Sequence, residues 1–314
     1  MTLGRLWRRS GGGAATAPLL ATALGAALVA LALAGCSGDG AVATDGLPTA
    51  ARDAGPGRAA VVAAARTLSR AGSARVRTAM EMSSGATRVT IEGRGVFDLA
   101  RGTGRLRVTL PPGADGAPPG ERRPVTELLT PGSLYMRNRA GVPTDKWVRV
   151  ATAGLPDGNL VTGGATDPLT AARLLRGARR TAFEGTAELD GVRVWHYSGV
   201  VDIERAAAGA PRQARRQLRA AEKGFSGRTV PFDAYLDGRG RLRKVQHRFA
   251  FTTDARGNTV EATAPGGRNG TTGEPVPEVD LTVTSTTTLH DFGAPVHLTM
   301  PEPGDIWAGT IAVP

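Results

Sequence analysis

The sequence predicts an α+β fold dominated by one large antiparallel β-sheet of about ten or eleven strands, with a few helices set against it. Three observations carry this. Apolar and polar residues alternate with period two over most of the second half and much of the first. Asp/Gly turns join successive alternating runs, as antiparallel hairpins require. A small number of segments switch to helical spacing between the strands.

In chain order, Gly57 to Ala71 predicts a helix. Val61, Ala64, Ala65 and Leu68 share one face, Arg58, Arg66 and Arg70 another, and Gly72 is placed to end it. "TRVTIEGRGVFDLA" then puts Val89, Ile91 and Phe97 opposite Thr90, Glu92, Arg94 and Asp98. "GRLRVTL" repeats the rule with Leu106, Val108 and Leu110 against Arg105, Arg107 and Thr109. Strict alternation means that one face meets water and the other does not. Asp167 caps and Pro168 starts a helix at "DPLTAARLLRGA". Asp190-Gly191 joins "TAFEGTAEL" to "VRVWHYSGVV" as a tight hairpin. A short helical run follows Asp202, and "PRQARRQLRAAEK" continues it. "FDAYLDGRGRLRKVQHRFAF" folds back at Asp237 to Gly240, and "VDLTVTSTTTLHDFGAPVHLTM" predicts a final strand pair turning around Asp291 to Pro295. "PPGADGAPPGERR" and "DARGNTVEATAPGGRNGTTGEPVPE" read as Gly/Pro-rich loops.

The amino terminus has its own chemistry. Arg5, Arg8 and Arg9 precede an almost uncharged run from Gly11 to the chain's one cysteine, Cys36. A basic start, an apolar middle and small residues before a cut site make an export signal. Leu33-Ala34-Gly35-Cys36 resembles the lipobox of bacterial lipoproteins. That resemblance implies diacylation of the Cys36 thiol, cleavage before it and a mature chain held at the extracytoplasmic face of the cell membrane. The competing reading, a permanent span over residues 14–34, is weakened by its alanine content and by Thr16, Pro18, Thr22 and Gly25. Residues 1–35 are therefore expected to be a signal peptide and residues 36–56, rich in Gly, Ala, Asp and Pro, a flexible tether. Residues 57–314 are expected to form the one folded domain.

The whole chain carries 39 basic and 28 acidic residues, net +11. Removing residues 1–35 takes away Arg5, Arg8 and Arg9 and no acid, which leaves +8. Such basicity suits an anionic membrane surface or acidic glycolipid headgroups. Nucleic acid is not expected, because no arginine block has interleaved aromatics. Aromatics are 4% of the chain, so the core must be built from Val, Leu and Ala, and alanine fills space poorly.

No GxSxG, HExxH, GxGxxG or GxxxxGK motif occurs. His196 and His247 fall within strands without a ligand at metal spacing, and His290 and His297 flank the last turn beside Asp291 without a third ligand. The reading is of a protein that is not an enzyme and takes no cofactor or metal.

Several local patterns together resemble the LprG/LppX-type actinobacterial lipoproteins. They are "SLYMRN" followed by Lys146-Trp147, Asp167-Pro168 with Leu174-Leu175, and "WHYSGVVD". They continue with Pro231 to Asp237 followed by Gly240-Arg241-Leu242, and Phe292 to Val296 with Pro301. The match runs in order over about residues 56–305, and departs in the long 254–278 loop and the shortage of aromatics. It implies a bent antiparallel half-barrel with helices across its concave face, shared with the LolA lipoprotein carrier. It also implies a cavity between sheet and helices that holds acyl chains of a membrane lipid or lipoglycan, for transport or presentation in the envelope. The alternative is a regulatory or scaffold lipoprotein that uses the same fold to contact an envelope protein.

The residues expected to line the cavity are Val89, Ile91, Phe97, Leu106, Val108, Leu134, Met136, Val194, Phe232, Leu281 and Val283. Val108 is expected to border open space, although alternation reports burial and not its partner. In "PRQARRQLRAAEK", Arg212, Arg215, Arg216 and Arg219 share one helical face with Lys223, opposite Ala214, Leu218 and Ala221. These four arginines are candidates for gripping a headgroup, against the plainer reading of a solvated helix face. The domain is expected to be monomeric.

Overall fold

A computed structural model describes residues 54–308, except 112–123, 140, 156–158, 162–166, 226 and 254–278. Its first helix, α1 (Ala54–Ser69), buries Val61, Ala64, Ala65 and Leu68 along one stripe. Gly72, at φ 80°, then turns the chain into the sheet.

Strands β1 (Ser73–Ser84), β2 (Thr87–Asp98), β3 (Thr103–Thr109), β4 (Val125–Thr130), β5 (Ser133–Arg137) and β6 (Trp147–Ala151) step outward as a meander. The chain then crosses to the far edge through α2 (Pro168–Leu174), which a 3-10 turn carries on to Gly177. Asp167 caps α2 as its sequence predicts: its Oδ1 accepts from the Leu169 N–H at 2.9 Å and its Oδ2 from the Thr170 hydroxyl at 2.7 Å.

From that edge β7 (Ala178–Leu189), β8 (Val192–Asp202), β9 (Thr229–Asp237), β10 (Leu242–Thr253) and β11 (Val279–His290) step back to the middle. Helices α3 (Ile203–Ala208) and α4 (Arg212–Gly224) are inserted between β8 and β9. The β7–β8 hairpin turns at Asp190 and Gly191, both at positive φ, the type I′ geometry that Asp-Gly favours.

The result is an eleven-stranded open sheet in the order β6-β5-β4-β3-β2-β1-β11-β10-β9-β8-β7. Each ladder is antiparallel, and β6 and β7 are the two edges, so the sheet does not close into a barrel. The helices lie on one face. Phe225, just after α4, stacks on Phe249 of β10 with ring centroids 4.7 Å apart, and the Arg58 guanidinium of α1 donates to the Ala178 carbonyl at 2.9 Å.

One buried cluster unites Val61 and Leu68 of α1, Leu174 of α2 and Leu218 of α4 with Met80, Phe97, Leu106, Phe232 and Phe249 of the sheet. Burying each of the larger side chains is worth about 1.5–3 kcal/mol. Two of the few aromatics cover glycines on neighbouring strands. The Phe97 ring lies where a side chain on Gly104 would be, and the Phe232 ring beside the place of one on Gly199.

The predicted final strand pair is corrected. β11 is a strand, but residues 294–300 form none. β11 sits inside the sheet with β1 on one side and β10 on the other, so it has no free edge for a following strand. The segment turns instead at Gly293, whose N–H donates to the Ser73 carbonyl at 2.8 Å, and Pro295 has no N–H to offer a ladder.

Candidate functional site

Register assigns each side chain to a face. On the helix-covered face, β1 presents Ala74, Val76, Thr78, Met80 and Met82, paired across β2 with Phe97, Gly95, Gly93, Ile91 and Val89. β3 adds Leu106 and Val108, and β4 pairs Val125, Glu127 and Leu129 against β3. On the other flank β11 offers Val283, Ser285, Thr287 and Leu289, β10 offers Val245, His247 and Phe249, and β9 offers Phe232 and Ala234.

Most of the predicted lining residues meet here. Phe97, Leu106, Val108, Leu134, Met136, Phe232 and Val283 are all buried on this face. Val89, Ile91 and Leu281 are only partly buried, and with Met82 they continue the apolar surface out to one end of the sheet. Val194 is corrected. It is buried, but it pairs with Asp237, whereas Trp195, Tyr197, Gly199 and Val201 of β8 share the face of Phe232. The open space expected beside Val108 is not there: Val108 is 1% exposed and belongs to the same buried cluster as the helix residues Leu68, Leu174 and Leu218. Helices α1 and α2 pack against β10 of the same sheet.

Polar side chains interrupt this face at its centre. Thr78 stands opposite Thr287, and His247 opposite Ser285. Thr78 Oγ1, Thr287 Oγ1 and His247 Nε2 are sealed from solvent and have no hydrogen-bond partner among the described residues. Leaving a buried polar atom unpaired costs about 1–3 kcal/mol, so the closed arrangement carries a penalty here. Farther along, the Glu127 carboxyl on β4 is buried with Oε2 unpartnered. Burial pushes it well above the usual carboxylate range, although Arg139 opposes the shift. Sequence reading missed Thr78, Thr287 and Glu127 and gave His247 no role, because a polar side chain in an alternating strand looks like a solvent-facing residue.

Burial also lowers the His247 pKa from 6.5 to about 3, so the ring is neutral at physiological pH. The sign follows from linkage. Above pH 6.5 neither folded nor unfolded chain protonates this ring; below it the unfolded chain takes a proton that the folded chain refuses. His247 therefore favours folding fully above 6.5, and that contribution is lost as the pH falls toward 3. Glu127, with its raised pKa, acts in the opposite sense by favouring folding at low pH. Urea midpoints measured down a pH series are expected to fall less steeply below pH 6.5 in His247→Leu than in wild type. An unchanged slope would show that the ring is hydrated.

The outer surface of the helical layer is basic. Arg212, Arg215, Arg216 and Arg219 of α4 are exposed, over buried Ala214, Leu218 and Ala221. Arg215 donates to the Ala210 carbonyl at 3.1 Å and Arg216 to the Gln213 side chain, and none of the four pairs with an acid among the described residues. Beside α4, Ala59, Val62, Ala63 and Ala65 of α1 floor a groove of about 450 Å³ that Arg66, Arg70, Arg173 and Arg176 surround. Sequence spacing had placed Arg66 and Arg70 on one face of α1; that Arg173 and Arg176 join them is a result of the fold.

Cys36 and the signal segment lie outside the described residues. Among the described residues no helix is long and apolar enough to cross a membrane, and no group of three His, Cys, Asp or Glu side chains is placed to hold a metal.

Sheet and helices together define an open antiparallel sheet with one buried apolar face under a helical layer. Among solved structures, the chain is similar to LprF from Mycobacterium bovis, with 12% identity over 79% of this chain and 97% of the other, and a TM-score of 0.36. It is similar to the Mycobacterium tuberculosis lipoprotein LppX, with 12% identity, 77% and 99% coverage and a TM-score of 0.36. A LolA superfamily protein from Nitrosomonas europaea matches with 12% identity, 75% and 94% coverage and a TM-score of 0.30. No protein-family model and no curated protein matches the chain.

Proposed function

We infer that the protein is a membrane-anchored lipoprotein that holds acyl chains of a membrane lipid or lipoglycan between its sheet and its helices. Its role in this reading is transport or presentation at the extracytoplasmic face of the cell membrane. The observation that carries it is the run of Met82, Val89, Ile91 and Leu281, partly buried, which brings the apolar face to the surface at one end. A hydrocarbon chain entering there exchanges water for apolar contacts at about 0.8 kcal/mol per methylene.

Because Val108 and its neighbours are sealed in one buried cluster with helix residues, loading requires the helical layer to lift. The roof suits that motion: Ala64, Ala65, Ala171, Ala172, Ala214 and Ala221 are small buried side chains that give up little contact when the layer shifts. Among the described residues Arg212, Arg215, Arg216 and Arg219 have no acidic partner, as cations that meet an anionic headgroup need. Nothing in this role calls for catalysis, a cofactor or a metal, and one chain suffices as a monomer.

Native mass spectrometry of the protein purified from its own host membranes tests the reading. Wild type is expected to retain lipid, and Val108→Trp to retain about tenfold less or lower, because the indole fills the path of the chain. Overpacking by the same ring is expected to cost about 1–3 kcal/mol. That corresponds to a lower melting temperature by several degrees in a domain of this size. Thr109→Trp, on the exposed side of the same strand, is expected to change neither. Wild type without lipid would overturn the reading and leave the scaffold role.

A further inference from the structure

From the half-buried end inward, three neighbouring strands change character in the same order on the covered face. β11 runs Leu281, Val283, Ser285, Thr287; β1 runs Met82, Met80, Thr78; β10 runs Phe251, Phe249, His247. Each begins apolar and becomes polar two or three side chains in. Cross-strand pairing makes the polar residues one patch, with Thr78 against Thr287 and Ser285 against His247. A face that handled hydrocarbon alone has no use for polar atoms at this depth. Valine would keep the volume and the strand preference of each threonine and leave nothing unpaired.

Thr78 Oγ1, Thr287 Oγ1 and His247 Nε2 are buried without a partner among the described residues. The patch offers two hydroxyls and one imidazole nitrogen, each able to donate or accept one hydrogen bond. Among the described residues that pair into the patch none is a lysine or arginine, so a phosphate or carboxylate would arrive without a counter-charge. Its complement is a neutral oxygen.

Resting on the acyl-chain reading above, we propose that this patch recognises a hydroxyl or carbonyl oxygen carried within the acyl chain, so that the protein selects oxygenated chains over plain ones. The direction of selectivity is the diagnostic. A purely apolar slot rejects a chain that brings a hydroxyl, because that hydroxyl is buried unpaired. A slot with waiting partners rejects the plain chain, because its own polar groups then stay unpaired.

The test offers the full-length acylated protein, in nanodiscs, equimolar stearate and a hydroxystearate with its hydroxyl mid-chain. Native mass spectrometry counts the bound chains. Wild type is expected to favour hydroxystearate about tenfold. Thr78→Val with Thr287→Val is expected to abolish or reverse that preference and leave stearate retention within about twofold. The change is nearly isosteric, and His247→Leu supplies an independent variant with the same expected loss. A wild-type preference for stearate, or a preference that survives both variants, overturns the proposal while the acyl-chain reading stands. Retention of neither chain by wild type overturns the acyl-chain reading itself.

Discussion

Cys36→Ser is expected to leave the protein as an uncleaved precursor, heavier than the mature chain by its signal peptide and lighter in acyl groups. The reason is chemical. In the lipoprotein reading the thiol of Cys36 becomes a thioether before the signal is cut, and a serine hydroxyl is a far poorer nucleophile. Two or three acyl chains hold a protein firmly where one does not, so the mature wild type should stay with membranes through salt washing. An inhibitor of lipoprotein signal peptidase should trap wild type as a larger, membrane-bound form. Intact mass and membrane fractionation read both results. If residues 14–34 are instead a permanent span, neither the serine nor the inhibitor changes mass or fractionation, and the anchor reading falls.

How much of the fold could be read in advance depended on whether the information was local. The Asp190-Gly191 hairpin, the Asp167 cap and the alternation in β2 and β3 are set by adjacent residues, and the structure has all three. The pairing of β11 with β1 joins residues about two hundred positions apart, and no local pattern encodes it. Missing that pairing is why residues 294–300 looked like a partner for β11.

Val194 failed for another reason. In "VRVWHYSGVV" both alternating phases hold large apolar residues: Val192, Val194 and Val200 in one, Trp195, Tyr197 and Val201 in the other. Hydrophobicity alone does not choose between them; the ladder with β9 does. The polar patch was hidden similarly, since "TVTSTTTLH" carries threonine in both phases. Only burial separates Thr287 from its partly exposed neighbours Thr286 and Thr288. Of the arginine groups, the α4 face was legible from helical spacing, whereas the groove needs α1 and α2 side by side.

Gly95→Ala is expected to cause the largest loss of stability of any single methyl added to this sheet. Gly95 lies on β2 between Val76 of β1 and Leu106 of β3. A Cβ there would stand 1.8 Å from the Arg105 carbonyl oxygen and 2.9 Å from the Leu106 Cα. These are backbone atoms, so no side-chain rotation relieves the clash, and the β2–β3 ladder must part or uncoil. Overpacking costs about 1–3 kcal/mol where side chains can adjust, and this case belongs at or above the top of that range. For a domain of this size, that corresponds to a melting temperature lower by about 6–12 °C. Gly154→Ala is the matched control, because no atom lies within 4 Å of its added methyl and its φ is not positive. It is expected to be neutral or slightly stabilising. Parting that ladder also displaces Leu106, which pairs with Gly95, and its buried strand neighbour Val108. A Gly95→Ala protein that still folds should therefore retain less lipid as well as melt earlier. An unchanged melting temperature would mean that the ladder opens at Gly95 without cost.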